Sequence, residues 1–127
     1  IVIRIIDAAV SAAALFAEMG RRWRKGVAEF RSATMRACRD SAVIEAAGLY
    51  FEAIALQIRF YRLRDNPQSK SSDLRANISE QLAVARRFLA LCYTDSRIGF
   101  EASVGYLYLP QDVREKIAAC RYFLSRA

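Results

Sequence analysis

The stretch that decides the fold is Ile44–Leu63, IEAAGLYFEAIALQIRFYRL. Ile44, Ala47, Phe51, Ile54, Ile58 and Tyr61 step by three and four, the rhythm of one apolar helix face. Leu49, Ala53, Leu56, Phe60 and Leu63 repeat that rhythm two residues out of phase. Two residues rotate an α-helix by about 200°, so the two stripes lie nearly back to back. Only a strip through Glu45, Glu52, Arg59 and Arg62 is left for water. A helix apolar on both sides is a central one, or one shared with another subunit. Leu49, Leu56, Phe60 and Leu63 are therefore the expected oligomer contact.

Upstream, Val2, Ile6, Ala9, Ala13, Phe16, Gly20, Trp23, Val27, Phe30, Thr34 and Ala37 alternate steps of four and three without a slip. This predicts one long helix, or two nearly collinear ones, over 2–37, packed against an antiparallel partner or another chain. The small residues Ala9, Ala13 and Gly20 would let that partner approach closely. Arg39-Asp40-Ser41 is the expected break, with Asp40 or Ser41 able to cap the next helix. That central helix should run to about Arg64, with Arg59, Arg62 and Arg64 at the negative end of its dipole.

Asp65-Asn66-Pro67-Gln68-Ser69-Lys70-Ser71 holds turn formers and no apolar residue, which makes it the clearest loop. A third helix is expected over about Asp73–Tyr93, capped by Ser72 or Asp73, with a face of Leu74, Ile78, Leu82, Ala85, Leu89 and Cys92 and with Phe88 flanking it. For 97–109 the reading is a short helix to Val104, a turn at Gly105, and an extended connector through Tyr106-Leu107-Tyr108-Leu109. Pro110 and Asp112 suit the first turn of a last helix with a stripe of Val113, Ile117, Cys120 and Leu124. The expected fold is all-α: a single up-and-down bundle of four to five helices over 1–127, with one long N-terminal helix.

Composition narrows the function. The chain has 127 residues, 54% apolar and 26% charged, a globular balance. Its net charge is +7, and 17 of its 20 basic residues are Arg, a composition that suits phosphate contacts and that a GC-rich genome also produces. With no His, Ser-His-Asp and Cys-His nucleophile systems are excluded. Neither GxGxxG nor GxxxxGK occurs. Cys38, Cys92 and Cys120 form no CxxC pair and fall on or beside apolar stripes, so buried free thiols in a reducing compartment are expected. Residues 1–20 carry Arg4, Asp7 and Glu18, too interrupted for a membrane span, and the heptad pattern continues through them, unlike a secretion signal. The expectation is a cytoplasmic, non-enzymatic protein with no cofactor and no metal.

The strongest positive signal is Arg21-Arg22-Trp23-Arg24-Lys25. Together with Arg31 and Arg36, and with Arg59, Arg62 and Arg64 from the central helix, it forms the expected nucleic-acid-binding set. The same pattern fits an amphipathic helix on an anionic membrane surface, or a solvated face pairing with Glu18 and Glu29. Trp23 lies on the apolar stripe and is expected in the core.

Two stretches carry a family resemblance. Arg75-Ala76-Asn77-Ile78-Ser79-Glu80 resembles an R-x-N-I-A-E run. Gly105-Tyr106-Leu107, followed by the helix from Pro110, resembles a GYL turn into a last helix. Both belong to the bacterial four-helix-bundle family of rRNA intervening-sequence proteins and accessory variability proteins of diversity-generating retroelements. Phe88-Leu89, Ser96 and Glu101 fall near that family's FL, S and E positions with shorter spacing, and the first 70 residues show no match. The resemblance implies an up-and-down bundle, ring-like homo-oligomers (pentamers in that family), and a basic surface that contacts nucleic acid or a reverse transcriptase. The alternative reading is a structural or adaptor subunit of a larger protein assembly.

Overall fold

The computed structural model of the chain describes residues 2–33, 41–98, 100–101, 105–106 and 109–126. It is an all-α helical bundle of four helices: α1 (Val2–Ala33), α2 (Ser41–Asp65), α3 (Ser71–Thr94) and α4 (Pro110–Arg126). α1 spans 32 residues and α2 25, and α2 lies between α1 and α3. The expected break at Arg39-Asp40, and Cys38, Thr34 and Ala37 with it, lie outside the described residues.

Each helix packs on the next in sequence, α1 on α2, α2 on α3 and α3 on α4, and among the described residues α1 approaches neither α3 nor α4. The α1–α2 pair is antiparallel. Phe16 stacks on Phe51 with ring centroids 6.1 Å apart, and Trp23, further along α1, bonds back to Ile44 near the start of α2. Gly20 and Gly48 set the close approach of this pair. A Cβ on Gly20 would stand 3.3 Å from the Gly48 carbonyl oxygen, and one on Gly48 would stand 3.3 Å from Cδ1 of Trp23. Nothing lies within 4 Å of a Cβ on Gly26. Gly26→Ala should therefore stabilise the fold by about 0.5–1 kcal/mol through helix propensity. Gly48→Leu should cost about 1–3 kcal/mol by forcing the helices apart. Urea melts of the two variants check this opposition.

The buried apolar core lies between α2, α3 and α4. It joins Ala46, Leu49 and Leu56 to Val84, Ala85, Phe88 and Cys92, and to Val113 and Ile117, with Ile98 plugging it from the connector. This corrects the expected oligomer contact. Leu49 is 0% exposed and Leu56 is buried, so both are spent inside the chain, because α3 and α4 cover that stripe. Phe60 and Leu63 remain half-buried. The doubly apolar character of α2 is explained by its place between α1 and α3. Among the described residues α2 is also the one helix long and apolar enough to cross a membrane, and here that length serves as the core helix.

The buried face of α3 is Asn77, Gln81, Val84, Ala85, Phe88 and Cys92; it keeps the expected Ala85 and Cys92 with the flanking Phe88 but is rotated from the expected Leu74, Ile78, Leu82 and Leu89, which are half-buried flanks. The rotation is made acceptable by hydrogen bonds. Asn77 Nδ2 donates to the Leu56 carbonyl on α2 at 3.2 Å, and Gln81 Nε2 donates to Asn77 Oδ1 at 2.6 Å. A buried polar group with its partners in place avoids the desolvation cost that would exclude it.

The ends also differ from expectation in two places. The residue flanking the start of α3 is Lys70, in an extended conformation and without a side-chain cap bond, so Ser72 and Asp73 fall inside the first turn. Phe100–Glu101 pairs antiparallel with Gly105–Tyr106 where a short helix to Val104 was expected, and the two-residue strands are too short to alter the all-α class. The other ends follow their local chemistry. Asn66 Oδ1 accepts the Gln68 N–H at 3.0 Å in the α2–α3 loop, as an Asx turn does. Asp112 Oδ2 accepts the Leu109 N–H at 2.8 Å, closing the first turn of α4 behind Pro110.

Candidate functional site

The cations singled out in the sequence do not form one face. Trp23, Gly20 and Arg24 sit against Ile44, Gly48 and Glu52, so the α1 group lies beside the first half of α2. Arg59, Arg62 and Arg64 follow beyond Glu52, roughly 10–18 Å further along the axis at 1.5 Å per residue. The side chain of Arg31 and the whole of Arg36 lie outside the described residues.

The α1 group is already paired. Glu18 accepts from Arg21 Nη2 at 2.6 Å and from Arg22 Nε at 2.6 Å, and these two guanidinium groups, Arg22 foremost, hold its carboxyl below the usual range. Lys25 stands 3.8 Å from Glu29. Arg24 crosses to Glu52 on α2 in a half-buried ion pair, so it acts as a helix-to-helix tie. Trp23 donates its Nε1–H to the Ile44 carbonyl and meets Phe51 edge-on at 6.2 Å, yet stays 43% exposed. It anchors the edge of the α1–α2 seam and is not enclosed in the core.

The strip on α2 is tied in the same manner. Glu45 pairs with Arg87 at 3.3 Å, Arg59 with Glu80 at 3.7 Å, and Glu52 with Arg24. Arg64 pairs with Asp65 at 2.7 Å, which raises the Arg64 pKa and lowers that of Asp65. Arg62 is exposed with no ion-pair partner among the described residues.

A second set of cations escaped the sequence reading. Among the described residues Lys70, Arg86, Arg114, Lys116, Arg121 and Arg126 have no carboxylate partner. Arg114 donates to the Tyr93 hydroxyl and stacks over that ring at 5.5 Å. Arg126 lies 4.8 Å over Tyr122, and Arg64 lies 4.8 Å over Tyr61. All three tyrosines are exposed, Tyr93 at 59%. Tyr93 ends α3 beside the start of α4, as antiparallel neighbours require. Arg86 stands seven residues before Tyr93 and Arg121 seven after Arg114, so the helical repeat returns both to the same edge, about 10 Å further along. The signal available in the sequence was the spacing of seven between Arg114 and Arg121 outside the apolar stripe of α4.

A cleft of about 460 Å³ opens between α2, α3 and α4, lined by Ile54, Ile58, Tyr61, Val84, Val113 and Lys116 among others. Cys92 and Cys120 are free and buried, and burial pushes both thiols up. In the connector, the Arg97 guanidinium, with help from its backbone N–H, draws Asp95 down to about 2. No group of three Cys, Asp or Glu converges as a metal site among the described residues. Compared with protein-family models, curated proteins and solved structures, the chain finds no match in any of the three.

Proposed function

We propose that this chain is a non-enzymatic, basic helical-bundle protein of the cytoplasm that self-associates and binds nucleic acid, or an enzyme that works on it. The observation that carries this reading is the α3–α4 edge, where Arg86, Arg114 and Arg121 lack carboxylate partners among the described residues and Tyr93 stands exposed beneath the Arg114 guanidinium. Such groups keep their charge available for phosphate and offer flat rings to bases. The α1 cations give weaker support. Arg21, Arg22 and Lys25 are well exposed, and solvent-screened ion pairs of that kind are weak, so phosphate can displace them. Free buried thiols support the reducing compartment. The likeness of Arg75–Glu80 and Gly105–Leu107 to the intervening-sequence and accessory variability proteins points the same way.

Fluorescence anisotropy with labelled single-stranded RNA and duplex DNA tests the reading. With about four phosphate contacts, affinity should fall about a hundredfold between about 50 and about 200 mM salt. Replacing Arg86, Arg114 and Arg121 together with Gln should flatten that dependence more than Arg21→Gln with Arg22→Gln does. Salt-independent binding, or none at low salt, overturns it.

The second reading, a structural or adaptor subunit, is favoured by the exposure of the adjacent Tyr122 and Phe123 on α4, apolar rings suited to protein contacts. A soluble monomer in light scattering would count against both self-association and this alternative.

A further inference from the structure

The geometry points to the cleft between α2, α3 and α4 as a binding site for a small amphiphilic anion, an alkyl or fused-ring body carrying one carboxylate or sulfonate. Its volume of about 460 Å³ falls within the range of about 300–1,000 Å³ typical of small-ligand sites. Three helices enclose it. On α2, Tyr50, Ile54, Ile58 and Tyr61 line it, a stripe of about 16 Å at 1.5 Å per residue. Its depth is formed by Val84, Ala85, Phe88 and Val113, which are buried, so an apolar body would be shielded from water on entering.

The polar groups sort by depth. Gln81, at the bottom, already donates to Asn77. At the mouth, Lys116 Nζ donates to Gln57 Oε1 at 3.2 Å, a bar of two flexible side chains between α4 and α2. Gln57 is neutral, so the ammonium has no opposite charge there, and a ligand anion would replace a weaker partner. The other charged group at the mouth, Asp112, is turned to the Leu109 N–H, where it closes the start of α4. Lys116 forms no ion pair among the described residues, and an ammonium so placed over an apolar trough selects an amphiphile with a single negative head, in the same way that a few placed polar groups orient ligands in other clefts.

This inference is independent of the nucleic-acid reading, because none of the residues used lies on the α3–α4 edge. The test uses two fluorescent probes with similar rings: anilinonaphthalene sulfonate, which is anionic, and phenylnaphthylamine, which is neutral. The expected result is one saturable site per chain for each, with dodecanoate displacing both. Lys116→Met should weaken the sulfonate about tenfold and leave the neutral probe within about twofold. Ile58→Trp, at a half-buried wall position, should exclude both probes while the far-ultraviolet circular dichroism stays unchanged. Three results overturn the proposal. One is the absence of a saturable site. Another is a Lys116→Met chain that treats the two probes alike. The third is probe binding that disappears as light scattering rises, which would assign the cleft to a second copy of the chain.

Discussion

Leu49→Ala will remove about 3–5 kcal/mol from the stability of the fold, a large share of the 5–15 kcal/mol that a domain of this size holds. Leu49 is fully enclosed and belongs to the cluster that α2 forms with Val84, Phe88 and Val113. Truncation deletes its transfer free energy and leaves a void that three helices would have to collapse together to fill. Urea unfolding with linear extrapolation measures the loss. The outcome also separates the two roles this leucine has been given. A core residue lowers the midpoint equally at every protein concentration, whereas an interface residue makes the midpoint depend on concentration. Leu63→Ala, half-buried at the end of α2, should cost clearly less.

Asn77→Leu will cost about 2–4 kcal/mol although it makes the interior more apolar. The substitution deletes the bond to the Leu56 carbonyl and leaves Gln81 Nε2 without the Asn77 oxygen it donates to, at a residue only 6% exposed. An orphaned buried donor costs more than the bond itself returns, and removing both partners is the milder change. Asn77→Leu combined with Gln81→Leu should therefore recover part of the loss. A double-mutant cycle reads the coupling between the two amides, expected at about 1–3 kcal/mol. Equal, additive losses would show that the amides do not support each other.

How far the sequence could be read follows from which interactions are local. The centrality of α2 was legible because its apolar residues surround the helix axis, and α1 on one side with α3 and α4 on the others cover Leu49, Phe51 and Leu56 while Ile54, Ile58 and Tyr61 are left to line the cleft. The α2–α3 loop was legible from Asn66 and Pro67, and the inner face of α4 from Val113, Ile117 and Cys120. The inner face of α3 was misjudged by about one residue because hydropathy treats Asn77 and Gln81 as outward, and only the pairing of one with the other and with α2 turns them inward. The basic cluster was legible as charge and illegible as a site. Arg24 finds Glu52 twenty-eight residues away, and no periodicity encodes that. The cations on the α3–α4 edge come together only once α4 lies along α3, a placement that depends on the connector whose short strand pair was read as part helix.

The chain-order packing of the helices has one last consequence. Among the described residues α1 rests on α2 alone, whereas α3 has α2 on one side and α4 on the other. Peeling α1 away would undo the glycine notch, the Trp23 anchor and the Arg24–Glu52 tie, and would bare Gly48 and Phe51 on the face of α2 that it covers. With one seam holding α1 and neighbours on both sides holding α3, amide protons of α1 should exchange before those in the middle of α3.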